Sequence, residues 1–129
     1  MKSWTETVIG AVVVLALLAC KQSPPPKKAP ELTVSAQDLR SAYNANEAAA
    51  DQKYKGKVLE VSGAITAIES DFSDNPVIRL YTGDLMGASA RGLSKAEAAK
   101  LAKDQRIIII CTGDGELVGS PQLKDCRLP

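Results

Sequence analysis

The chain has 129 residues, with 16 Lys+Arg against 15 Asp+Glu and no histidine. That length suits one domain, and the near-neutral balance argues against a dedicated nucleic-acid binder, which needs excess positive charge to displace counterions from phosphates. The missing histidine excludes Ser-His-Asp and Cys-His catalysis and removes the usual zinc ligand.

Residues 1–19 read as an export signal. Lys2 opens it, and Val8 to Ala19 (VIGAVVVLALLA) follows without a charge. Crossing a bilayer takes ~20 apolar residues, so this shorter run fits a signal-peptide core rather than a span. It ends in Leu17-Leu18-Ala19-Cys20. That stretch resembles a bacterial lipobox, with an apolar residue three before the cysteine and a small one directly before it. The resemblance implies cleavage before Cys20, lipidation of its sulfur and acylation of the new amino group. Membrane lipid is then the first partner, because each buried CH₂ of an acyl chain contributes ~0.8 kcal/mol. Lys21 follows the cysteine where an aspartate would retain such proteins at the inner membrane. This implies a cell-envelope location and, by resemblance to Gram-negative sorting and only if the cell is Gram-negative, the periplasmic face of the outer membrane.

Residues 20–31 are the lipidated cysteine and a Pro/Lys-rich tether, KQSPPPKKAPE after Cys20, with four prolines. Proline denies helix and ladder hydrogen bonds and favours an extended spacer, ~30 Å for this length. With Cys20 assigned to lipid, Cys111 and Cys126 remain as an even pair in an oxidising compartment, and a disulfide between them is expected. The loop it closes predicts roughly 3 kcal/mol of stabilisation on the chain-entropy estimate. Two cysteines without histidine are too few for a metal site, and they are too far apart for a C-x-x-C redox motif. No cofactor and no metal are expected.

Residues 32–129 form the domain. Ser35 with Asp38 looks like an N-cap and an acidic first turn. Leu39, Tyr43, Asn46, Ala50 and Tyr54 recur at helical spacing, predicting one amphipathic helix over 36–53 with both tyrosines packed inward. Gly56 stops it. In VLEVSGAITAIE, residues 59, 61, 63 and 65 alternate with polar neighbours, and Ile68 falls out of phase, so the first strand bends. DFSDNP, at 71–76, is a turn; its carboxylates fail as a calcium loop because Pro76 and Thr82 stand where glycine and glutamate are required. VIRLYTG is the second strand, with Ile78 and Leu80 on one face and Val77, Arg79 and Tyr81 on the other. Residues 84–91 give a weak third strand. Ser94 and Glu97 form a capping box for a short helix running to about Lys103. RIIIICTG is the fourth strand, its isoleucines implying burial on both faces. GDGELVGSP is a loop or ribbon end, and QLKDCRL is the fifth strand, so Cys111 and Cys126 can sit opposite each other. Helix, three strands, helix and two strands is a mainly β plan with α: a five-stranded OB-fold-like barrel, an N-terminal amphipathic helix, and a helix between strands three and four.

The block NEAAADQKYKGKVLEVSG, Asn46 to Gly63, resembles the signature of the tRNA_anti-like bacterial lipoproteins, which are OB-fold envelope proteins. A basic residue before an isoleucine strand and C-x-G at Arg106 to Gly113, and D-C-x-L at Asp125 to Leu128, match the same family. The resemblance implies fold and address and carries no catalytic residues. OB-folds bind through the outer face of strands two and three, so Phe72, Arg79 and Tyr81 are the candidate binding face. The expected function is a non-catalytic protein-binding adaptor of the envelope. The alternative is oligosaccharide, peptidoglycan or single-stranded nucleic-acid binding on the same face; nucleic acid is disfavoured by few aromatics and by acidic loops at Asp71, Asp74, Asp114 and Glu116. An enzyme is not expected. The scattered carboxylates Asp51, Glu60, Asp71, Asp74 and Asp84 read as solvated surface.

Overall fold

A computed structural model describes residues 27–129. The signal segment, Cys20 and the tether up to Pro26 lie outside the described residues. Among the described residues, no helix is long and apolar enough to cross a membrane.

Among the described residues, six strands and three helices run in the order β1 (Leu32–Ser35), α1 (Ala36–Ala45), α2 (Glu47–Tyr54), β2 (Val58–Ser70), β3 (Pro76–Leu80), β4 (Ala88–Arg91), α3 (Lys95–Ala98), β5 (Arg106–Leu117) and β6 (Ser120–Arg127). β2 is the long strand that makes closure possible. Its first half pairs antiparallel with β5, from Val58 opposite Thr112 to Ala64 opposite Arg106. Its second half pairs antiparallel with β3. The register shifts between Ile65 and Ala67, which is the bend that the out-of-phase Ile68 predicts. β3 pairs with β4, β4 runs parallel to β6, and β6 returns to β5. The circuit β2-β3-β4-β6-β5-β2 is a closed five-stranded barrel with the OB-fold connectivity. β1 is an added edge, parallel to the start of β2.

The core is aliphatic, as the scarcity of aromatics requires. Leu59, Val61, Ile65, Ile78, Leu80, Ile109 and Leu123 are fully enclosed. Leu39, Tyr43, Ala50 and Tyr54 seat the two lead helices on it, so both tyrosines pack inward as their spacing predicts.

Several elements differ from the expectation. The single helix over 36–53 is two helices, broken at Asn46, whose backbone is extended at φ −167° and ψ 103°. Asn46 leaves the helix because its side chain accepts the Ala49 N–H at 3.0 Å and starts α2. The third strand shrinks to 88–91, because Asp84 Oδ1 instead gathers a turn, accepting from Thr82 Oγ1 and from the Met86 and Gly87 N–H groups. The helix after the capping box covers only Lys95–Ala98. The isoleucine run is buried on both faces only at its end: Ile109 and Ile110, on opposite faces, are enclosed but Ile108 is exposed.

Candidate binding face

β5 and β6 join as a ribbon end, one of the two forms expected for this segment. Pairing continues to Leu117 opposite Ser120, and Val118 and Gly119 make a two-residue turn with φ +48° and +80°. Positive φ at both central residues is the mirror-image turn that suits the right-handed twist of a hairpin. Glycine is needed at 119 for a second reason, since a Cβ there would press on the Arg40 guanidinium at 3.1–3.2 Å. The hairpin thus carries Leu117 and Val118 outward, 64 % and 82 % exposed.

Arg40, on α1, is the post behind this hairpin. Its Nε donates to Asp84 Oδ2 and its Nη1 to Glu116 Oε2, each at 3.0 Å, with the Arg40 side chain only 17 % exposed. One guanidinium therefore ties the Asp84 turn to the end of β5. Burial opposes ionisation of Asp84, yet the Gly87 N–H, the Thr82 hydroxyl, Arg40 and the Met86 N–H together hold its carboxyl below the usual range. Beside this cluster, burial and a 2.8 Å hydrogen bond donated to Asp51 push the Tyr43 hydroxyl pKa up, so it remains a donor.

Between the hairpin and the Asp84 turn lies a groove of about 370 Å³, floored by Arg79, Ser89, Arg91 and Gln122 and rimmed by Met86, Leu117 and Val118. A second depression of about 460 Å³ continues past Arg79 and Met86 to Leu85 and Thr66. Arg79 sits between them, donating Nε to Glu69 at 3.2 Å and Nη1 to Ser89 Oγ and the Met86 carbonyl. Arg91 donates Nη1 to Gln122 Oε1 at 2.9 Å. In OB terms this is the outer face of the second and third barrel strands together with the loop joining the last two, where OB-folds hold their ligands.

Of the three residues expected on this face, the structure places one in the groove. Arg79 is central. Tyr81 lies beyond the end of β3, its N–H bonded to the Ala64 carbonyl. It opens instead onto a small cleft of about 40 Å³ with Ser35, Gln37 and Arg106. The alternation that put Tyr81 beside Arg79 fails because β3 ends at Leu80. Phe72 is fully exposed at the tip of the β2–β3 turn and lines neither depression. Arg91 and Gln122 were missed because each shows up only as one polar residue in a short strand. Leu117 and Val118 were missed because the segment reads as a loop or ribbon end. The signal available was the sequence L-V-G between two strands, an apolar pair at a turn.

Cys111 and Cys126 form the expected disulfide, with Cα atoms 4.1 Å apart. Between the pairs Ile110–Arg127 and Thr112–Lys124, β6 carries one residue more than β5. Asp125 takes up that bulge at φ +51°, a conformation aspartate tolerates better than most residues. Among the described residues, no group of three or more His, Cys, Asp or Glu could hold a metal ion.

A closed five-stranded barrel with this strand connectivity defines an OB-fold-like protein. The chain belongs to the tRNA_anti-like family, whose model matches residues 6–127. Among solved structures it is similar to a protein of Klebsiella pneumoniae subsp. pneumoniae described as a "putative nucleic acid-binding lipoprotein", at 16 % identity and a TM-score of 0.61, with 92 % of this chain and 99 % of that one covered. That likeness is one of fold. No curated protein matches the chain.

Proposed function

We propose that this chain is a lipid-anchored, non-catalytic module of the cell envelope whose OB face docks a protein partner. The observation that carries the reading is the character of the groove rim. Leu85, Met86, Leu117 and Val118 are exposed aliphatic side chains around two arginines. Methionine and arginine are enriched at protein interfaces, and hydrophobic side chains gathered on loop tips are surface that a partner can cover. The non-catalytic part rests on the carboxylates around the groove being occupied: Glu69 by Arg79, Asp84 and Glu116 by Arg40. Anchoring rests on the lipobox-like Leu17–Cys20 and accords with the name of the Klebsiella protein.

That same name favours a second reading, single-stranded nucleic acid on the same face. Such binding would use aromatic stacking platforms along a basic groove. Here the rim is aliphatic, and Phe72 and Tyr81 stand outside it. Crosslinking in intact cells separates the two. The expected result is one envelope protein recovered with the wild-type chain and lost with an Arg79→Ala/Val118→Asp double variant. Recovery of nucleic acid, or of the same protein with the variant, would contradict the docking reading.

A further inference from the structure

Resting on that reading, we infer that the groove recognises an acidic polypeptide segment with aliphatic side chains, its carboxylate received by Arg91. The argument is one of charge left over. Each carboxylate at the groove edge already has a cation: Glu69 holds Arg79, and Asp84 and Glu116 hold Arg40. Among the described residues, no carboxylate stands within ion-pair distance of Arg91. Its one side-chain partner is the neutral oxygen of Gln122, at 2.9 Å. Gln122 is fixed in that orientation, because its Nε2 donates to the Ser120 carbonyl at 3.0 Å and to Ser120 Oγ at 3.2 Å. The Ser120 hydroxyl is in turn buried on the Gly87 carbonyl at 2.7 Å. Arg91 is therefore half-buried and held in place by a neutral partner; the Asp71 carboxyl is near enough to feel its charge but makes no ion pair with it, so guanidinium N–H donors are left to spare. A guanidinium in that state selects a planar anion, which a carboxylate supplies with two parallel hydrogen bonds. The rim decides which anionic polymer. Leu117, Val118 and Met86 line the same groove as the arginine with aliphatic surface and offer no π-face for a base. A peptide alternating acidic and aliphatic residues meets both requirements, and a nucleic acid meets only the first.

The test uses the full chain in detergent and three fluorescent probes: an alternating Asp-Leu octapeptide, an alternating Lys-Leu octapeptide and an oligothymidylate. The Asp-Leu peptide is expected to bind at least about tenfold more tightly than the Lys-Leu peptide, the ratio one charge-assisted contact supplies. Arg91→Gln is expected to remove that preference. Gln122→Glu, which sets a carboxylate beside Arg91 while leaving the arginine present, is expected to do the same and guards against a folding defect in the first variant. Equal binding of the two peptides, no binding of the Asp-Leu peptide, a preference unchanged in both variants, or tighter binding of oligothymidylate would each overturn the inference. Failure here with a protein still crosslinked through the groove in cells defeats the acidic-segment inference alone. Recovery of no protein defeats the docking reading itself.

Discussion

Asn46 shows how one side chain redirects the chain. Its helical spacing places it on the apolar face, yet the amide caps α2 and turns the backbone extended. Asn46→Ala should cost about 1 kcal/mol, read as a lowered urea midpoint at unchanged slope; an unaltered midpoint would mean that the cap is not what breaks the helix. Three carboxylates act similarly on turns. The Asn75 N–H first, and then the Ser73 N–H, hold Asp71 below the usual carboxylate range; the Ser94 N–H and hydroxyl do the same for Glu97; the hydrogen bonds to Asp84 outweigh its burial. A carboxyl depressed in the folded state binds fewer protons there than in the unfolded chain. Its stabilisation is thus complete above the ordinary carboxylate pKa of about 4 and is lost as pH falls through the depressed value. Thermal melts should therefore lose stability on the acid side of about pH 4, and Asp71→Asn should flatten that slope. A slope identical in the variant would exclude Asp71 as a contributor.

At the scale of elements, α1 is both a lid on the barrel and a brace for the groove. Arg40 connects it to the Asp84 turn and to the end of β5. Arg40→Ala should cost about 1–2 kcal/mol, more than a fully exposed ion pair because the guanidinium is largely enclosed. It should also speed hydrogen exchange at Met86 and Val118 while leaving the amides of β2 protected. Uniform acceleration across all strands would mean that Arg40 supports the fold generally and not the groove. The disulfide braces the opposite end of the same hairpin. Cys111→Ser/Cys126→Ser should lower stability by roughly 3 kcal/mol, measured by denaturant unfolding under non-reducing conditions; a loss below about 1 kcal/mol would show that strand pairing already fixes that end.

What could be read from the sequence divides along this same line. The barrel was legible because period-two apolar patterns and the capping box at Ser94 state local geometry directly. The residues carrying the family resemblance are structural ones. Asn46 caps α2, Asp51 accepts from Tyr43, and Gly113 lies where a Cβ would collide with the Tyr54 carbonyl. Their match therefore reports the seam between α2 and β5 and says little about binding. The groove was half legible. Arg79 follows from strand alternation, but Arg91, Gln122 and Val118 meet only through the parallel β4–β6 pairing and the hairpin turn, neither of which leaves a local pattern.

For the whole molecule, the start of the described chain sets an orientation. Residues 27–31 are laid along the domain at the disulfide end: Arg127 Nη2 donates to the Lys28 carbonyl at 2.9 Å, and Glu31 exchanges hydrogen bonds with the Val58 backbone. Arg127 and the hairpin tip lie at opposite ends of β6, whose eight residues span about 23 Å. Anchored through Cys20, the domain would hold its disulfide end toward the lipid and its groove on the far side, open to a partner. The most direct measurement is a photo-crosslinking residue placed at Val118 in intact cells, with the same residue at exposed Lys103 as control. The account predicts a discrete adduct from position 118 only, removed by protease and untouched by nuclease. An adduct removed by nuclease, or equal adducts from both positions, would contradict it.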